Sequence, residues 1–288
     1  MNKDNNISKR KLRAGMIGGG KDAFIGAVHR MAMRLDDQVD LVAGALSKDP
    51  EIAIDSAKEL GIDEDRTHID WKKFLDDEIK RKPEEKIDFV SIVTPNFLHA
   101  PIAKEFIKAG INVVCDKPLC LTEQEASDLI NAKNKTKVIF GVTYNYSGYP
   151  MVREAKELIQ KNKIGKIRRI FCEYLQGWLA TKIEDSGQPQ AAWRTDPSQA
   201  GIGGSIADIG SHAENLISFV TGLKTKSLQA ECHSFLGRAV DDDSQVMMEM
   251  ENGARATLTA SQICAGELNN LKIRIYGEKG GIIWEQEN

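Results

Sequence analysis

The sequence predicts an α/β protein in two parts: a doubly wound, mostly parallel sheet over residues 1–142, then an α+β domain with a mainly antiparallel sheet over 143–288. Three observations carry this. From Lys11 to Val142, short apolar runs alternate with helix-period segments, the rhythm of βαβ units. The first of those runs passes straight into Gly18-Gly19-Gly20, the start of a strand–loop–helix. After Val142 the rhythm changes, and the last third carries four β-like runs in succession, with an Asn252-Gly253 hairpin signal between two of them. At 288 residues the chain is long enough for two domains, each with its own core.

In chain order, 12–17 reads as a strand and 25–35 as a helix with Val28, Met31, Ala32 and Leu35 on one face. A second strand spans 40–46, and a helix over 50–60 is stopped by Gly61. The strong strand 88–93 precedes a helix over 100–109, which stops at Gly110. Next come a strand at 111–115 and a helix opening at Thr122, with Glu125 at the capping-box spacing. The run 137–142 closes the series. Beyond it lie a helix over 151–162 and a strand over 167–175, then a polar stretch from 177 to 204 carrying Trp178 and Trp193. A helix over 209–220 with Gly222 at its end leads to the β-like runs 226–233, 245–251, 254–261 and 271–276.

Lys and Arg total 39 against 42 Asp and Glu, and this near-balance lacks the clustered excess base that a nucleic acid or anionic membrane surface requires. No apolar run approaches the about 20 residues of a membrane span, and the polar first ten residues carry no signal-peptide core. Five cysteines, an odd number without C-x-x-C spacing, argue for a reducing, cytoplasmic compartment and against a disulfide framework. The histidines and cysteines form no metal-ligand pattern, so no metal is expected.

Four clusters carry chemistry. Gly18-Gly19-Gly20-Lys21-Asp22-Ala23 matches G-x-G-x-x-A between a strand and a helix. There the glycines permit a tight turn and let backbone N–H groups approach a pyrophosphate. This loop reads as longer than usual, with 24–26 ahead of the helix proper. The second strand ends in Ser47-Lys48-Asp49, where a dinucleotide-binding domain usually places an acid for the ribose hydroxyls. Either Ser47 and Lys48 accept a 2′-phosphate, so that NADP is tolerated, or Lys48 is a solvated loop charge. Thr94-Pro95-Asn96-Phe97-Leu98-His99 and Cys115-Asp116-Lys117-Pro118 follow the next two strands, at the carboxyl ends where such sheets bind ligands. Asp208 and His212, four apart at a helix start, share a face, so the carboxylate either orients the imidazole or merely caps the helix.

Together these clusters resemble the Gfo/Idh/MocA family of NAD(P)-dependent sugar and cyclitol oxidoreductases, over essentially the whole chain from Lys11 onward. The resemblance rests on the glycine loop running to Gly26-Ala27-Val28-His29, on Thr94-Pro95-Asn96 with His99, on Asp116-Lys117-Pro118, on Trp193-Arg194 and on Asp208-Ile209-Gly210-Ser211-His212. It implies a Rossmann domain followed by a domain with a large open sheet, through which the chain forms a homo-oligomer, dimer or tetramer. It implies NAD or NADP as cofactor and a sugar or polyol as substrate, with neither nucleic acid nor membrane as partner. Lys117, Asp208 and His212 become the expected catalytic set. Gly18, Gly20, Lys21, Ala23, Ile25, Ser47, Lys48, Thr94, Asn96, His99 and Lys117 become the expected cofactor contacts. Tyr146, Trp178, Arg194 and His212 are candidate walls of a polyol pocket, the alternative for each aromatic being ordinary packing.

The implied reaction is hydride transfer from a carbinol carbon, with His212 as general base, Lys117 on the same oxygen and Asp208 tuning the pair. Two other classes are compatible with the same fold: a dinucleotide and sugar sensor, and a glycosidase that uses NAD transiently. The chain stops at Asn288, just after a turn at 277–281 where family members usually continue, so a truncated or short member with an exposed sheet edge is expected.

Overall fold

Leu12–Gly18 (β1) buries Ala14, Met16 and Ile17 in succession, as a strand covered on both faces requires. The computed structural model describes residues 10–21 and 23–287. Asp22 of the glycine-rich motif lies outside the described residues, as do the first nine residues and Asn288. The chain divides after Thr143 into two units.

In the first unit β1 is followed by α1 (Phe24–Arg34), β2 (Val39–Ala45), α2 (Pro50–Leu60), α3 (Trp71–Lys80), β3 (Phe89–Val93), α4 (His99–Lys108), β4 (Asn112–Cys115), α5 (Glu123–Asn134) and β5 (Phe140–Val142). The strands pair in parallel in the order β2-β1-β3-β4-β5. The order reverses between β1 and β3, and the crevice outside their carboxyl ends is where such sheets bind ligands. Local chemistry sets the helix ends. The Asp49 carboxylate caps α2 by accepting from Glu51 N and Ile52 N, and Gly61 closes that helix at φ +69°. Thr122 and Glu125 form the reciprocal capping box of α5 that their spacing predicts.

Four features of this unit depart from the sequence reading. Helix α1 begins at Phe24, so residues 24–26 belong to the helix and the glycine loop is not lengthened. The apolar stripe of α1 faces outward, with Phe24 68%, Met31 70% and Leu35 85% exposed, while Gly26 and His29 form its buried face. Close packing of Gly26 on the loop selects that orientation. Helix α3 is additional: Asp70 caps it, and it buries Phe74 and Leu75 alongside Glu78, whose carboxylate accepts from Arg66 and from Ile87 N. A buried glutamate interrupts the apolar period by which such a helix is recognised. The closing strand is also shorter than 137–142, since Ile139 lies exposed ahead of it.

The second unit comprises α6 (Pro150–Gln160), β6 (Ile167–Leu175), α7 (Pro189–Arg194), α8 (Pro197–Ala200), α9 (Ser211–Thr221), β7 (Thr225–His233), β8 (Asp243–Met250), β9 (Arg255–Ser261), β10 (Asn270–Gly277) and β11 (Gly281–Glu285). The sheet order is β11-β10-β6-β9-β8-β7, with β6–β9 parallel and the other pairs antiparallel. Gly253, at φ +84°, turns β8 into β9. One face of the sheet buries Ile170, Cys172, Leu258, Leu271, Ile273 and Ile275 against Val152, Leu216, Ile217 and Val220 of α6 and α9. Three elements go beyond the sequence reading. Two short helices, α7 and α8, lie in the polar stretch 177–204, and the last residues form β11, paired with β10. Residues Ile206–Gly210 wind as a π turn, so the α-helix proper starts at Ser211 rather than at 209.

Candidate active site

The first unit builds a dinucleotide cradle at the ends of β1 and β3. Gly18 and Gly19 have φ of +79° and +73°. A Cβ at Gly18 would lie 2.8 Å from the Val93 carbonyl oxygen, and one at Gly20 2.9 Å from that of Leu46. A Cβ on Gly26 would lie 2.3 Å from the Gly19 Cα. Gly26 therefore brings the first turn of α1 onto the loop, while Ala23, the last position of the G-x-G-x-x-A match, is the residue preceding the helix. No side chain caps α1 and no acid lies in its first turn, so its N–H groups suit an anion. Arg30 donates to the Gly19 carbonyl, and Lys21 N donates to Ser56 Oγ at 2.9 Å, which fixes the two sides of the loop. The Thr94 hydroxyl is buried with no hydrogen-bond partner among the described residues, directly beside Gly18. A glycine cradle that tolerates no Cβ, an uncapped helix start and an unsatisfied hydroxyl fit a pyrophosphate-bearing cofactor.

After β2, Lys48 is exposed, and Ser47 Oγ accepts from Asp49 N at 3.1 Å. One oxygen of Asp49 is committed to capping α2. His99 is buried, with Nδ1 2.7 Å from the Pro118 carbonyl oxygen and Nε2 2.9 Å from that of Thr94. Both ring nitrogens of His99, expected as a cofactor contact, are thus spent on main-chain oxygens. The ring clamps the Thr94 loop to the Lys117-Pro118 segment, whose peptide is cis. Asn96 is buried in the same loop, while Ile25 is half-buried on α1 and Lys21 is exposed.

Lys117 lies two residues beyond the end of β4 and is half-buried. Its neighbour Asp116 accepts from Thr143 Oγ1 at 2.6 Å and lies 3.6 Å from His29 Nε2, while His29 Nδ1 meets Ser91 Oγ at 2.9 Å. Burial alone would raise the Asp116 carboxyl, but bonds from His29 and Thr143 and the Lys117 charge hold it below the usual carboxylate range. His29, on α1, and Asp116, after β4, lie far apart in the sequence, and the fold of this unit brings them together.

In the second unit the expected residues converge at one end of the sheet. Asp208, on the π turn, accepts at Oδ2 from Gln262 Nε2 at 2.9 Å and from Arg194 Nε at 3.3 Å. The Arg194 guanidinium lies 4.1 Å over Trp193 and 5.9 Å over Trp178. Four residues on from Asp208, the His212 ring meets Tyr146 at 4.9 Å and Tyr144 at 5.7 Å, both edge-on. His212 is buried, although it lies outside the apolar set of α9, Leu216, Ile217 and Val220. The aromatic collar accounts for this.

A hydrogen-bonded circuit links these groups. Tyr146 and Tyr174 meet hydroxyl to hydroxyl at 2.5 Å, Tyr174 donates to Asn269 Oδ1 at 2.6 Å, and Asn269 Nδ2 returns to the Tyr146 oxygen at 3.2 Å. Gln176 donates to Asn269 at 2.6 Å and accepts from Trp178 Nε1 at 3.1 Å, and Gln262 reaches it at 3.4 Å. Burial pushes the Tyr146 and Tyr174 phenols upward, so both remain protonated hydrogen-bonding groups. Sequence patterning does not single out Gln176, Gln262, Asn269 or Tyr174. The usable signal is position, since Gln176 and Gln262 follow the parallel strands β6 and β9 directly.

Burial also pushes the Cys115 and Cys172 thiols up, which leaves them poor nucleophiles. No helix among the described residues is long and apolar enough to cross a membrane.

Comparison with known proteins accords with this geometry. Residues 12–144 match the model described as oxidoreductase family, NAD-binding Rossmann fold, and residues 152–283 match the GFO/IDH/MocA C-terminal domain. The uncharacterized oxidoreductase YfiI of Bacillus subtilis is 35% identical over 282 residues, covering 96% of this chain and 71% of the relative. Levoglucosan dehydrogenase of Pseudarthrobacter phenanthrenivorans is 29% identical over 308 residues, covering 96% and 74%. An inositol dehydrogenase homolog from Azotobacter vinelandii, solved in complex with NAD+, superposes with a TM-score of 0.92 at 32% identity, covering 97% of this chain and 72% of that one. The two family-model matches, with a relative 35% identical over nearly the whole chain, show that the chain belongs to the Gfo/Idh/MocA family of oxidoreductases, with an NAD-binding Rossmann unit ahead of the family's C-terminal domain.

Proposed function

We propose that the protein is a dehydrogenase that oxidises a hydroxyl-bearing carbon of a sugar, cyclitol or related polyol with NAD, and that it tolerates NADP. The observation that carries this reading is the clustering of Asp208, His212, Trp178, Arg194 and neutral amides around two protonated tyrosines, an array of donors and acceptors suited to a polyhydroxylated ligand. When bound, NAD supplies the hydride acceptor. The Gly18–Gly20 loop, Lys21, Ala23, Ile25, Thr94 and Asn96 hold it, with Ser47 and Lys48 at the adenosine end. His212 takes the hydroxyl proton as the carbinol carbon becomes a carbonyl, since the neighbouring tyrosines keep their own protons. Asp208 holds the π turn that presents His212, and Lys117 stabilises negative charge on the reacting oxygen. Tyr146, Trp178 and Arg194 form the polyol walls.

The free thiols at all five cysteines support a reducing, cytoplasmic setting. The face of the second sheet opposite α6 and α9 exposes Met247, Tyr276 and Ile283, and we assign it to contact between copies in a homo-oligomer. The test is a screen of polyols, inositols and aldoses with NAD and NADP, read as absorbance of reduced nicotinamide. Net accumulation of NADH with at least one polyol is expected. Cleavage of a glycoside without net NADH would overturn the reading.

A further inference from the structure

We propose that Asp241 is the positioning residue of the active site: its carboxylate fixes the π turn that carries Asp208 and thereby sets His212 in its aromatic collar. The inference rests on the functional reading above for its consequence in turnover, but its structural part stands alone. Asp241 follows the irregular segment after β7 and is 9% exposed. Its Oδ1 accepts from Gly204 N at 2.6 Å. Its Oδ2 accepts from Ile206 N at 2.8 Å, Ser205 Oγ at 2.6 Å and Ser244 Oγ at 2.8 Å. Its main chain joins in, with Ser205 N donating to the Asp241 carbonyl at 2.9 Å. A single side chain thus satisfies backbone N–H groups at the entry to Ile206–Gly210 that have no acceptor within the helix.

The rest of the anchor is built around this contact. A Cβ on Gly204 would lie 2.0 Å from the Asp241 carbonyl oxygen, so a glycine is required for the approach. A Cβ on Gly210 would lie 3.2 Å from Ala260 Cβ of β9 and 2.8 Å from Ile206 Cδ1 of the turn itself, so the far end of the turn packs on β9, less tightly than its start packs on Asp241. Between these two points Asp208 N bonds the Gly204 carbonyl at 2.9 Å. The turn is therefore held at its start by Asp241 and pressed on the sheet at its end. π turns are intrinsically unfavourable and recur at functional sites, so this one needs such an anchor. Asparagine in place of Asp241 would turn an NH2 group toward at least one of the four donors.

The test is Asp241→Asn in the full chain, read by NMR at the His212 ring and by kinetics. The His212 ring lies 4.9–6.1 Å from the rings of Tyr144, Tyr146 and Tyr174, so its carbon-bound protons carry ring-current shifts that report its placement. The expected result is a move of those signals toward free-histidine positions while the other core signals stay, with kcat reduced about 10–100-fold and the NAD dissociation constant unchanged. His212 signals and kcat both at wild-type values would overturn the proposal. If Asp241→Asn fails to fold, Ser244→Ala decides, since it removes one donor without inserting a clash. A smaller shift of the His212 signals in the same direction supports the anchor, and unchanged signals overturn it. An enzyme inert toward every polyol, whose His212 signals still move in Asp241→Asn, would overturn the dehydrogenase reading and leave this one standing.

Discussion

Gln262 Nε2 donates to Asp208 Oδ2 at 2.9 Å, which ties the π turn to the residue immediately after β9. The same amide reaches Gln176 at 3.4 Å, and Gln176 donates to Asn269, so the carboxylate beside the candidate base is coupled to the Tyr146–Tyr174–Asn269 circuit through two glutamines.

Gln262→Leu should therefore lower kcat while sparing NAD binding. A hydrogen bond to a charged group is worth about 1.5–3 kcal/mol, equivalent to about 10–100-fold in rate if its loss is felt in the transition state. Steady-state kinetics with NAD titrated separately checks this. A raised NAD dissociation constant with kcat intact would refute it.

Gly26→Ala tests the cradle. Its Cβ would meet the Gly19 Cα at 2.3 Å, a backbone contact that no rotamer relieves. The expected outcome is a loss of about 1–3 kcal/mol of stability in the first unit and at least about tenfold weaker NAD binding. Thermal melts and calorimetric titration read the two effects.

The Glu184–Arg238 pair sets a pH dependence. Glu184 accepts from Arg238 Nε at 2.7 Å, and this bond, outweighing partial burial, holds its carboxyl below the usual range. A carboxyl depressed in the folded state adds stability above its unfolded value, about pH 4.3, and loses it as pH falls through the folded value. Glu184→Gln should cost about 1–3 kcal/mol at neutral pH. The gap to wild type should close as the solution is acidified below about pH 4. A gap that stays constant down to acid pH would show that the pair does not act through its charge.

Lys48→Asp should weaken NADP binding more than NAD binding, because Lys48 is exposed at the end of β2 where a 2′-phosphate would be read. Attraction between an ammonium and a phosphate about 4 Å apart is worth on the order of 1–4 kcal/mol, and exposure favours the low end. Dissociation constants at one fixed ionic strength decide the matter. Equal losses for both cofactors would show that Lys48 does not read that position.

The parallel sheet was legible because its helices carry end signals in local sequence, as at Gly61 and the Thr122–Glu125 box, although the cap at Asp49 was not read. The exposed stripe of α1 was not, since periodicity finds an apolar face without showing whether anything covers it. Only the contact between Gly19 and Gly26 shows which face turns inward. The catalytic candidates were legible as motifs, but the π turn beneath Asp208 depends on Asp241, which lies 33 positions beyond it and bonds to its entry only once the sheet has formed. The amides of Gln176, Gln262 and Asn269 look like ordinary loop residues until β6, β9 and β10 bring them together.

The central claim is that His212 takes the substrate proton in a hydride transfer to NAD. The most direct measurement is single-turnover formation of NADH by wild type and His212→Ala with a polyol that the screen identifies, and with NAD affinity measured alongside. The account predicts a rate at least about 100-fold lower in the variant at unchanged NAD affinity. A variant rate close to wild type would contradict it.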